Sequence, residues 1–177
     1  TSLIGNGETI LIHKDVTQID WEAELAVVIG KKASHVSEAE ALNYVSGFTC
    51  MNDVTDREAQ SKDGQWVRSK SYDTYGPIGP RVVPLSEIGD PHNLKIEARL
   101  NGKTVQSSNT KNLIFSIPYL ISYISARCTL EAGDVITTGT PHGVGAFLKP
   151  PVFMKDGDII EIEIEKIGIL RNPVKAE

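Results

Sequence analysis

The sequence predicts a mixed β fold of the α+β class, in which curled sheets are flanked by a few short helices. Three observations support this prediction. Several segments are continuously apolar or strictly alternating, as expected for strands buried on two faces or on one. These strand segments do not alternate regularly with helices, which argues against a doubly wound parallel sheet. The candidate helices are few and short.

Two buried strands and one helix are predicted in the first third of the chain. The strands are LAVVIG, residues 25 to 30, and FTCMND, residues 48 to 53. Ser37 and Glu40 have the spacing of a capping box, which predicts a short helix over residues 38 to 45. This helix is expected to end near Gly47.

A second capping box predicts the next helix. Thr55 and Glu58 have the required spacing, so residues 56 to 63 are expected to be helical, starting just after Asp53. The stretch that follows, residues 64 to 91, contains the turn-forming sequence GPIGP. We therefore expect irregular structure in that stretch.

The second half of the chain contains two predicted hairpins. Residues 93 to 107 alternate on both sides of Asn101 and Gly102, a pair that tolerates the positive φ angles of a type I′ turn. Residues 158 to 172 also alternate, as isoleucine and glutamate do from Ile160 to Glu165 in DIIEIEIEKI. We expect this second hairpin to close the chain.

Between the hairpins, the sequence predicts one helix and one loop of unusual composition. Residues 113 to 125 are mostly apolar, and Pro118 is expected either to bend this helix or to mark its first turn. Residues 133 to 145, GDVITTGTPHGVG, predict a strand that runs into a glycine-rich loop. The loop matches neither a P-loop nor a dinucleotide-binding fingerprint. Its backbone N–H groups could approach an oxyanion or a carboxylate.

Composition excludes several classes of function. The 177 residues are 40% apolar, which suits a single domain, and the net charge is −5. Lysines and arginines do not cluster, so a nucleic-acid partner is not expected. No apolar run reaches the roughly 20 residues of a membrane helix, and no signal peptide is evident. Cys50 and Cys128 could form a disulfide, but reduced thiols in a soluble cytoplasmic protein are the interpretation we favour.

Two glutamates at the mouth of a predicted buried strand need an explanation. Glu22 and Glu24 lie two positions apart in a strand-like segment, so their carboxylates point to the same face. Like charges beside a core repel one another and resist desolvation. A shared proton, a basic partner or a hard cation would reconcile them. The simpler interpretation is a half-exposed strand end with two solvated side chains.

Asp53 favours the cation among these alternatives. It follows a second predicted buried strand, so three carboxylates lie at strand ends, as Mg²⁺ or Ca²⁺ would require. The alternative role for Asp53 is to cap the following helix. The four histidines are scattered and do not have zinc spacing.

Three further polar residues are weaker candidates when taken alone. Arg57 and Gln60 are three positions apart on a predicted helix, hence on one face. Arginine binds carboxylates and glutamine both donates and accepts hydrogen bonds, but a solvated surface pair is the commoner outcome. Lys70 lies in the segment expected to be irregular and, by itself, resembles an ordinary surface lysine.

Together, five segments resemble the fumarylacetoacetate hydrolase family, in the order in which that family has them. They are DWEAELAVVIGKK, NDVTDREAQ, QWVRSKSYDTYGPIGP, LNGKTVQSSNT and TLEAGDVITTGTPHGVG. The resemblance extends over nearly the whole chain. It implies a β-roll of mixed, curled sheets whose strand ends hold Mg²⁺, with Mn²⁺ or Ca²⁺ as alternatives.

The resemblance also implies a role for each candidate residue. Lys70, Gln60 and Arg57 would be catalytic, and the last two would also face the substrate. Substrate binding would include residues of the glycine-rich loop and one residue near the metal site, namely Gly139, Thr140 and Thr74. The metal ligands would be Glu22, Glu24 and Asp53.

Family members act on 2-oxo acids and related dicarbonyl compounds, so the resemblance implies a small 2-oxo or 2-hydroxy-dienoic diacid as substrate and a metal-stabilised enolate. Hydrolytic members carry a His–Glu pair upstream of these segments, and nothing before Glu22 supplies one here. Isomerisation or decarboxylation is therefore expected ahead of hydrolysis of acylpyruvate-type or fumarylpyruvate-type substrates. A catalytically silent, metal-stabilised partner domain is the alternative from another class.

The sequence also suggests how the protein is organised into domains and which partners it has. Position 1 is Thr and a strand-like segment follows almost at once, so the 177 residues are expected to form one catalytic domain that lacks its N-terminal segment. The resemblance implies a homodimer. Neither a nucleic acid nor a membrane is expected as a partner.

Overall fold

The computed structural model describes all 177 residues and folds them into twelve strands, four α-helices and three 3₁₀-helices. The strands are β1 (Leu3–Ile4), β2 (Ile10–Ile12), β3 (Ile19–Asp20), β4 (Ala23–Ile29), β5 (Val45–Asn52), β6 (Thr55–Asp56), β7 (Gly76–Val83), β8 (Lys95–Leu100), β9 (Lys103–Asn109), β10 (Val135–Thr137), β11 (Ile159–Ile164) and β12 (Gly168–Ala176). The α-helices are α1 (Arg57–Asp63), α2 (Trp66–Lys70), α3 (Leu85–Ile88) and α4 (Ile117–Ser125). The 3₁₀-helices are Ala41–Tyr44, Thr110–Asn112 and Gly145–Phe147.

Two five-stranded sheets form the body of the protein. The first has the order β1-β7-β5-β4-β10 and the second the order β2-β12-β11-β8-β9, while β3 and β6 form a separate pair. Pairing is antiparallel except between β1 and β7 and between β12 and β2. The mixed, mainly antiparallel fold with a few short helices confirms the predicted fold class.

The core lies where the two sheets face each other. Thirty-one buried apolar residues form one cluster, and β4 and β5 contact strands β8, β11 and β12 of the opposite sheet. Every residue of β4 is buried except the half-buried Val28. Since β4 has neighbours on both edges and is covered on both faces, the apolar sequence LAVVIG is explained as predicted.

Both predicted hairpins are confirmed. Strands β8 and β9 are joined at Asn101 and Gly102, whose φ angles are 51° and 78°. Strands β11 and β12 form the second hairpin, and their alternating pattern places isoleucines of β11 in the core and glutamates on the outer face. The hydrophobic period of two thus determines which face is buried.

The helices agree with the sequence in part. Helix α1 lies where it was predicted, and in α4 Pro118 lies in the first turn behind the capping residue Ser116. The helix predicted over residues 38 to 45 is wrong in type and length, because only a 3₁₀-helix over Ala41–Tyr44 forms before β5 begins. All helices are too short or too polar to span a bilayer.

The prediction of irregular structure over residues 64 to 91 is wrong. This stretch contains α2, β7 and α3. Strand β7 lies between β1 and β5, and these neighbours supply the hydrogen bonds that make GPIGPRVV a strand despite its prolines and glycines. Turn-forming residues mark local preference, and sheet pairing overrides it here.

Candidate metal centre

Three carboxylates meet where the start of β4 lies beside the end of β5. Glu22 and Glu24 lie on the same side of the chain, and Asp53 directly follows β5, whose last residue Asn52 pairs with Ala23. The antiparallel register therefore brings the three side chains together. Oxygen atoms of all three lie within 4.8 Å of one another.

Backbone and side-chain hydrogen bonds hold these two strand ends in register. The Asn52 side-chain oxygen accepts from the N–H of Glu22 at 2.9 Å, and the N–H of Asp53 donates to the carbonyl of Glu22 at 3.0 Å. Asn52 is fully buried. The positions of the carboxylates are thus fixed by the sheet rather than by a flexible loop.

Asp53 does not cap the helix that follows it. The residue that caps α1 is Asp56, whose carboxylate accepts from the N–H groups of Glu58 and Ala59 at 3.0 and 3.3 Å. The capping role considered for Asp53, and the capping box assigned to Thr55, are therefore corrected. Asp53 is left free to face the two glutamates.

Lys70 lies at the centre of the carboxylate cluster, although its sequence surroundings resemble those of a surface lysine. It ends α2, and its Nζ lies 2.9 Å from Glu22 and 3.1 Å from the hydroxyl of Thr55, with a further bond to Asp53. Burial disfavours the ammonium form, but the charges of Glu22 and Asp53 outweigh it and raise the pKa of Lys70. The side chain is a cation shared by two of the three carboxylates.

Arg57 approaches the cluster from α1. Its Nε donates to Asp20 at 2.8 Å, and its Nη1 lies 2.7 Å from Glu22 and 3.0 Å from the side-chain oxygen of Gln60. The structure thus joins Arg57 to Gln60, as their spacing predicts. The Nη2 group is buried and has no hydrogen-bond partner. A buried guanidinium donor without an acceptor is what a site for an anionic ligand would offer.

Glu24 differs from the other two carboxylates because no basic side chain reaches it. Its side chain is 3% exposed, and its hydrogen-bond partner is the N–H of Gly139 at 2.7 Å. Burial, followed by the charges of Asp53 and Glu22, raises the pKa of Glu24 to about 8. Burial also raises the pKa of Asp53 despite its bond to Lys70.

The donor set fits a hard divalent cation. All three groups offer carboxylate oxygens, which Mg²⁺, Mn²⁺ and Ca²⁺ prefer. Such an ion would be a positively charged partner for Glu24. It would also neutralise the negative charge of Glu22 and Asp53 that remains beside Lys70. Of the three explanations that the sequence leaves open, a basic partner accounts for Glu22 and Asp53. For Glu24 a proton or a cation remains, and the set of three carboxylates favours the cation.

The glycine-rich loop lies directly against the strand that carries the glutamates. Strand β10 pairs with β4, so the loop begins beside Glu24. The N–H and hydroxyl of Thr138 both bond to the carbonyl of Leu25, at 3.2 and 2.8 Å, and Gly139 bonds to Glu24. The loop is therefore fixed to the carboxylate cluster, which places Gly139 and Thr140 next to it.

A cavity of about 440 Å³ opens beside this loop. One wall is formed by Thr138, Gly139 and Thr140 with the two residues that follow them, and the other by residues 108 to 110 and 112 to 115. The three carboxylates do not line the cavity. Gly139 connects the two, because it lines the cavity and donates to Glu24.

Thr74 is the predicted site residue that the structure does not join to the cluster. Its hydroxyl accepts from the N–H of Leu11 at 2.9 Å, and none of its hydrogen bonds reaches a carboxylate of the site. The residue adopts a φ angle of 71°, a conformation that is strained for a β-branched side chain. In this structure Thr74 ties the N-terminal strands to the segment that precedes β7.

Sequence reasoning missed two buried polar residues that organise the site. Asp20 accepts from Arg57 and from the N–H groups of Trp21, Gly145 and Ala146, at 2.7 to 2.9 Å. Gln106 joins β4 to the glycine-rich loop. A carboxylate placed directly before a buried tryptophan was the available signal for Asp20. A lone polar residue in an alternating strand gives almost no signal.

The sequence is similar to those of known proteins over nearly its whole length. A family model described as fumarylacetoacetate (FAA) hydrolase C-terminal matches residues 1–175. Oxaloacetate tautomerase Fahd2a, mitochondrial, of Rattus norvegicus is 46% identical over 175 residues, which are 98% of this chain and 56% of that protein.

Solved structures of related proteins share the fold. A 5-carboxymethyl-2-hydroxymuconate delta-isomerase from Mycobacterium smegmatis superposes with a TM-score of 0.92 at 41% identity, covering all of this chain and 66% of that one. A fumarylacetoacetate hydrolase from the psychrophile Exiguobacterium antarcticum gives 0.96 at 42% identity, covering 99% and 64%. The chain thus spans between 56% and 66% of the length of these three relatives.

Proposed function

This chain belongs to the fumarylacetoacetate hydrolase family, and from that premise we propose that it is the metal-binding part of an isomerase or tautomerase. The proposed substrate is a small 2-oxo or 2-hydroxy-dienoic diacid, and the proposed reaction moves a proton through an enolate. The relatives named as oxaloacetate tautomerase and hydroxymuconate isomerase support this class of chemistry.

The observation that carries the proposal is the buried carboxyl group of Glu24, which lies beside Glu22 and Asp53 and has no basic partner. Glu22, Glu24 and Asp53 would hold Mg²⁺, with Mn²⁺ or Ca²⁺ as alternatives. When bound, the ion would act as a Lewis acid that polarises the carbonyl of a 2-oxo acid.

Arg57 and Gln60 would bind and orient the substrate. The free Nη2 group of Arg57 is a donor that needs an acceptor, and its Nη1 is already held by Glu22 and Gln60. These bonds hold the guanidinium in one orientation, so a substrate carboxylate would meet a donor set that is already in place. Asp20 maintains that orientation through Nε.

Lys70 would handle the proton. It is the one lysine in contact with the carboxylate cluster, and its ammonium group is held by three acceptors, which are Glu22, Asp53 and Thr55. An ammonium group positioned in this way can deliver a proton to a substrate bound at the same carboxylates. The relation of Thr74 to the substrate remains part of the proposal, through the backbone segment that it anchors.

The experiment is an assay of oxaloacetate keto–enol exchange by ultraviolet absorbance after removal of metal with a chelator. We expect no exchange above the uncatalysed rate in the metal-free chain and recovery with Mg²⁺. Lys70→Ala should lower turnover by about 10²–10⁴-fold, the usual contribution of a positioned acid or base. Mg²⁺ affinity should not fall, because Lys70 competes for the same carboxylates.

Lys32→Ala is the matched control, because Lys32 is exposed and pairs with Glu131 on the surface. Its turnover should equal that of the unaltered chain. Equal turnover of Lys70→Ala and Lys32→Ala would remove Lys70 from the reaction. Saturable Mg²⁺ binding without exchange of oxaloacetate or of any 2-hydroxy-dienoic diacid would favour a catalytically silent domain.

A further inference from the structure

We propose that Gln106 is a positioning residue that commits the hydroxyl of Thr140 to donate a hydrogen bond into the cavity. The cavity wall at Thr140 would then select an acceptor oxygen of the ligand, such as a carboxylate or carbonyl, over an amine. This inference rests on the proposed function, because it concerns the ligand of the same site.

The orientation of the Gln106 amide is determined by the backbone around it. Gln106 is 1% exposed; its Oε1 accepts from the N–H of Ala23 at 3.0 Å, and its Nε2 donates to the carbonyl of Pro141 at 2.8 Å. The reversed amide would set a donor against the Ala23 N–H and an acceptor against the Pro141 carbonyl. Only the observed orientation satisfies both backbone groups.

The second hydrogen of Nε2 fixes the role of Thr140. Gln106 donates it to Thr140 Oγ1 at 2.9 Å, so the hydroxyl oxygen is an acceptor in this contact. A hydroxyl has one proton, which must then point elsewhere. No acceptor in the protein takes it, and Thr140 lines the cavity. The proton is therefore available to a ligand.

Close packing between the loop and β9 makes this arrangement rigid. Gly143 lies so near β9 that an added Cβ would be 2.3 Å from the carbonyl oxygen of Val105, closer than any real contact. The indole N–H of Trp21 donates to the carbonyl of Gly143 at 3.3 Å. Together with the bond from Gly139 to Glu24, these contacts hold Thr140 at a fixed place relative to the carboxylates.

The experiment is calorimetric binding of oxalate to the 177-residue chain in saturating Mg²⁺ at pH 8. Oxalate has the two adjacent oxygen-bearing carbons of a 2-oxo acid. Thr140→Val should weaken oxalate binding by about tenfold or more, since a hydrogen bond to a charged group is lost. Thr140→Ser, which keeps the hydroxyl, should stay within about threefold by the same reasoning.

Gln106→Glu tests the positioning role. The carboxylate can still accept from Ala23, but it would accept the proton of Thr140 and turn it away from the cavity. We expect oxalate affinity to fall by about tenfold or more. In the Thr140→Val background the same substitution should change affinity by less than about twofold, because the two residues act as a unit.

Three results would overturn the inference. One is unchanged oxalate affinity in Thr140→Val, which decides the matter even if Gln106→Glu does not fold. Another is unchanged affinity in a folded Gln106→Glu protein. The third is an equal loss from Gln106→Glu in both backgrounds, which would assign the effect to the added charge. Absence of Mg²⁺ binding in the unaltered chain would instead contradict the proposed function itself.

Discussion

Two pairs of glutamates in this chain have the same spacing and opposite surroundings. Glu22 and Glu24 flank Ala23, the first residue of β4, whereas Glu161 and Glu163 lie on the outer face of β11. The outer pair is bonded by Arg99, at 3.2 and 2.6 Å, and is half-buried. Glu24 is buried and has no basic partner. The same local pattern thus describes a solvated surface in one place and a candidate metal centre in the other.

The pKa values of carboxyl groups in the two regions are shifted in opposite directions. Burial raises the pKa of Glu24 to about 8, with further contributions from Asp53 and Glu22. On the outer face, a hydrogen bond from Lys95, aided by Ser107 and by the charge of Arg99, lowers the pKa of Glu97. Carboxylates with basic neighbours are stabilised as anions, while a buried carboxylate without one requires a cation or a proton. The following predictions sharpen this contrast.

The largest effect is expected at Asp20, where a buried carboxylate pairs with Arg57. Asp20→Asn should reduce the free energy of unfolding by about 3–5 kcal/mol, because it breaks the buried Asp20–Arg57 pair and leaves the guanidinium with Glu22 as its remaining counter-charge. Asp56→Asn is the matched control: Asp56 is also buried and accepts backbone N–H groups, but it has no arginine partner. Since asparagine caps helices as well as aspartate does, its cost should be below about 1 kcal/mol. Equal costs in urea denaturation would contradict the role assigned to the Asp20–Arg57 pair.

The next effect is on Mg²⁺ affinity. Glu24→Gln should weaken Mg²⁺ binding by at least about 100-fold. Loss of a residue that only hydrogen-bonds to a metal ligand costs roughly 10- to 100-fold in affinity, and loss of the ligand itself should cost more. Glu163→Gln removes the same charge from the same spacing on the outer face and should change affinity by less than twofold, a small surface effect. The measurement is calorimetric titration of the metal-free proteins. Similar losses in both variants would mean that general charge, rather than a built site, attracts the ion.

The smallest effect is expected on the outer face. Arg99→Met should lower the free energy of unfolding by less than about 1 kcal/mol at low salt, because the ion pairs of Arg99 are partly exposed and screened.

Folding lowers the pKa of Glu97 below its ordinary value of 4.5, so the contribution of Glu97 to the free energy of unfolding is fully present above pH 4.5. That contribution is lost as the pH falls through the lower, folded-state value. Thermal unfolding of the unaltered and Arg99→Met proteins at pH 7 and pH 3, each at low and high salt, measures both the cost of the substitution and the loss of the Glu97 contribution. A large cost that resists salt would show that the outer face is not a solvated surface.

Local sequence features predicted much of the fold. The alternation in β11 and β12, the Asn101–Gly102 turn and the apolar run of β4 each depend on neighbours within a few residues. Local preference failed where distant strands supplied the hydrogen bonds. Strand β7 is the clearest case, because its prolines and glycines read as turns until β1 and β5 pair with it.

The candidate site also has features that the sequence predicted and features that depend on distant segments. The sequence by itself determined that three carboxylates stand at the ends of buried strands, because strand periodicity and the order of segments require it. Only the tertiary structure decided that Lys70 and Arg57 neutralise Glu22 while Glu24 is left without a basic partner. It also decided that Asp20 and Gln106 hold the site together. Burial and charge pairing depend on segments far apart in the chain, and spacing along one segment carries no information about them.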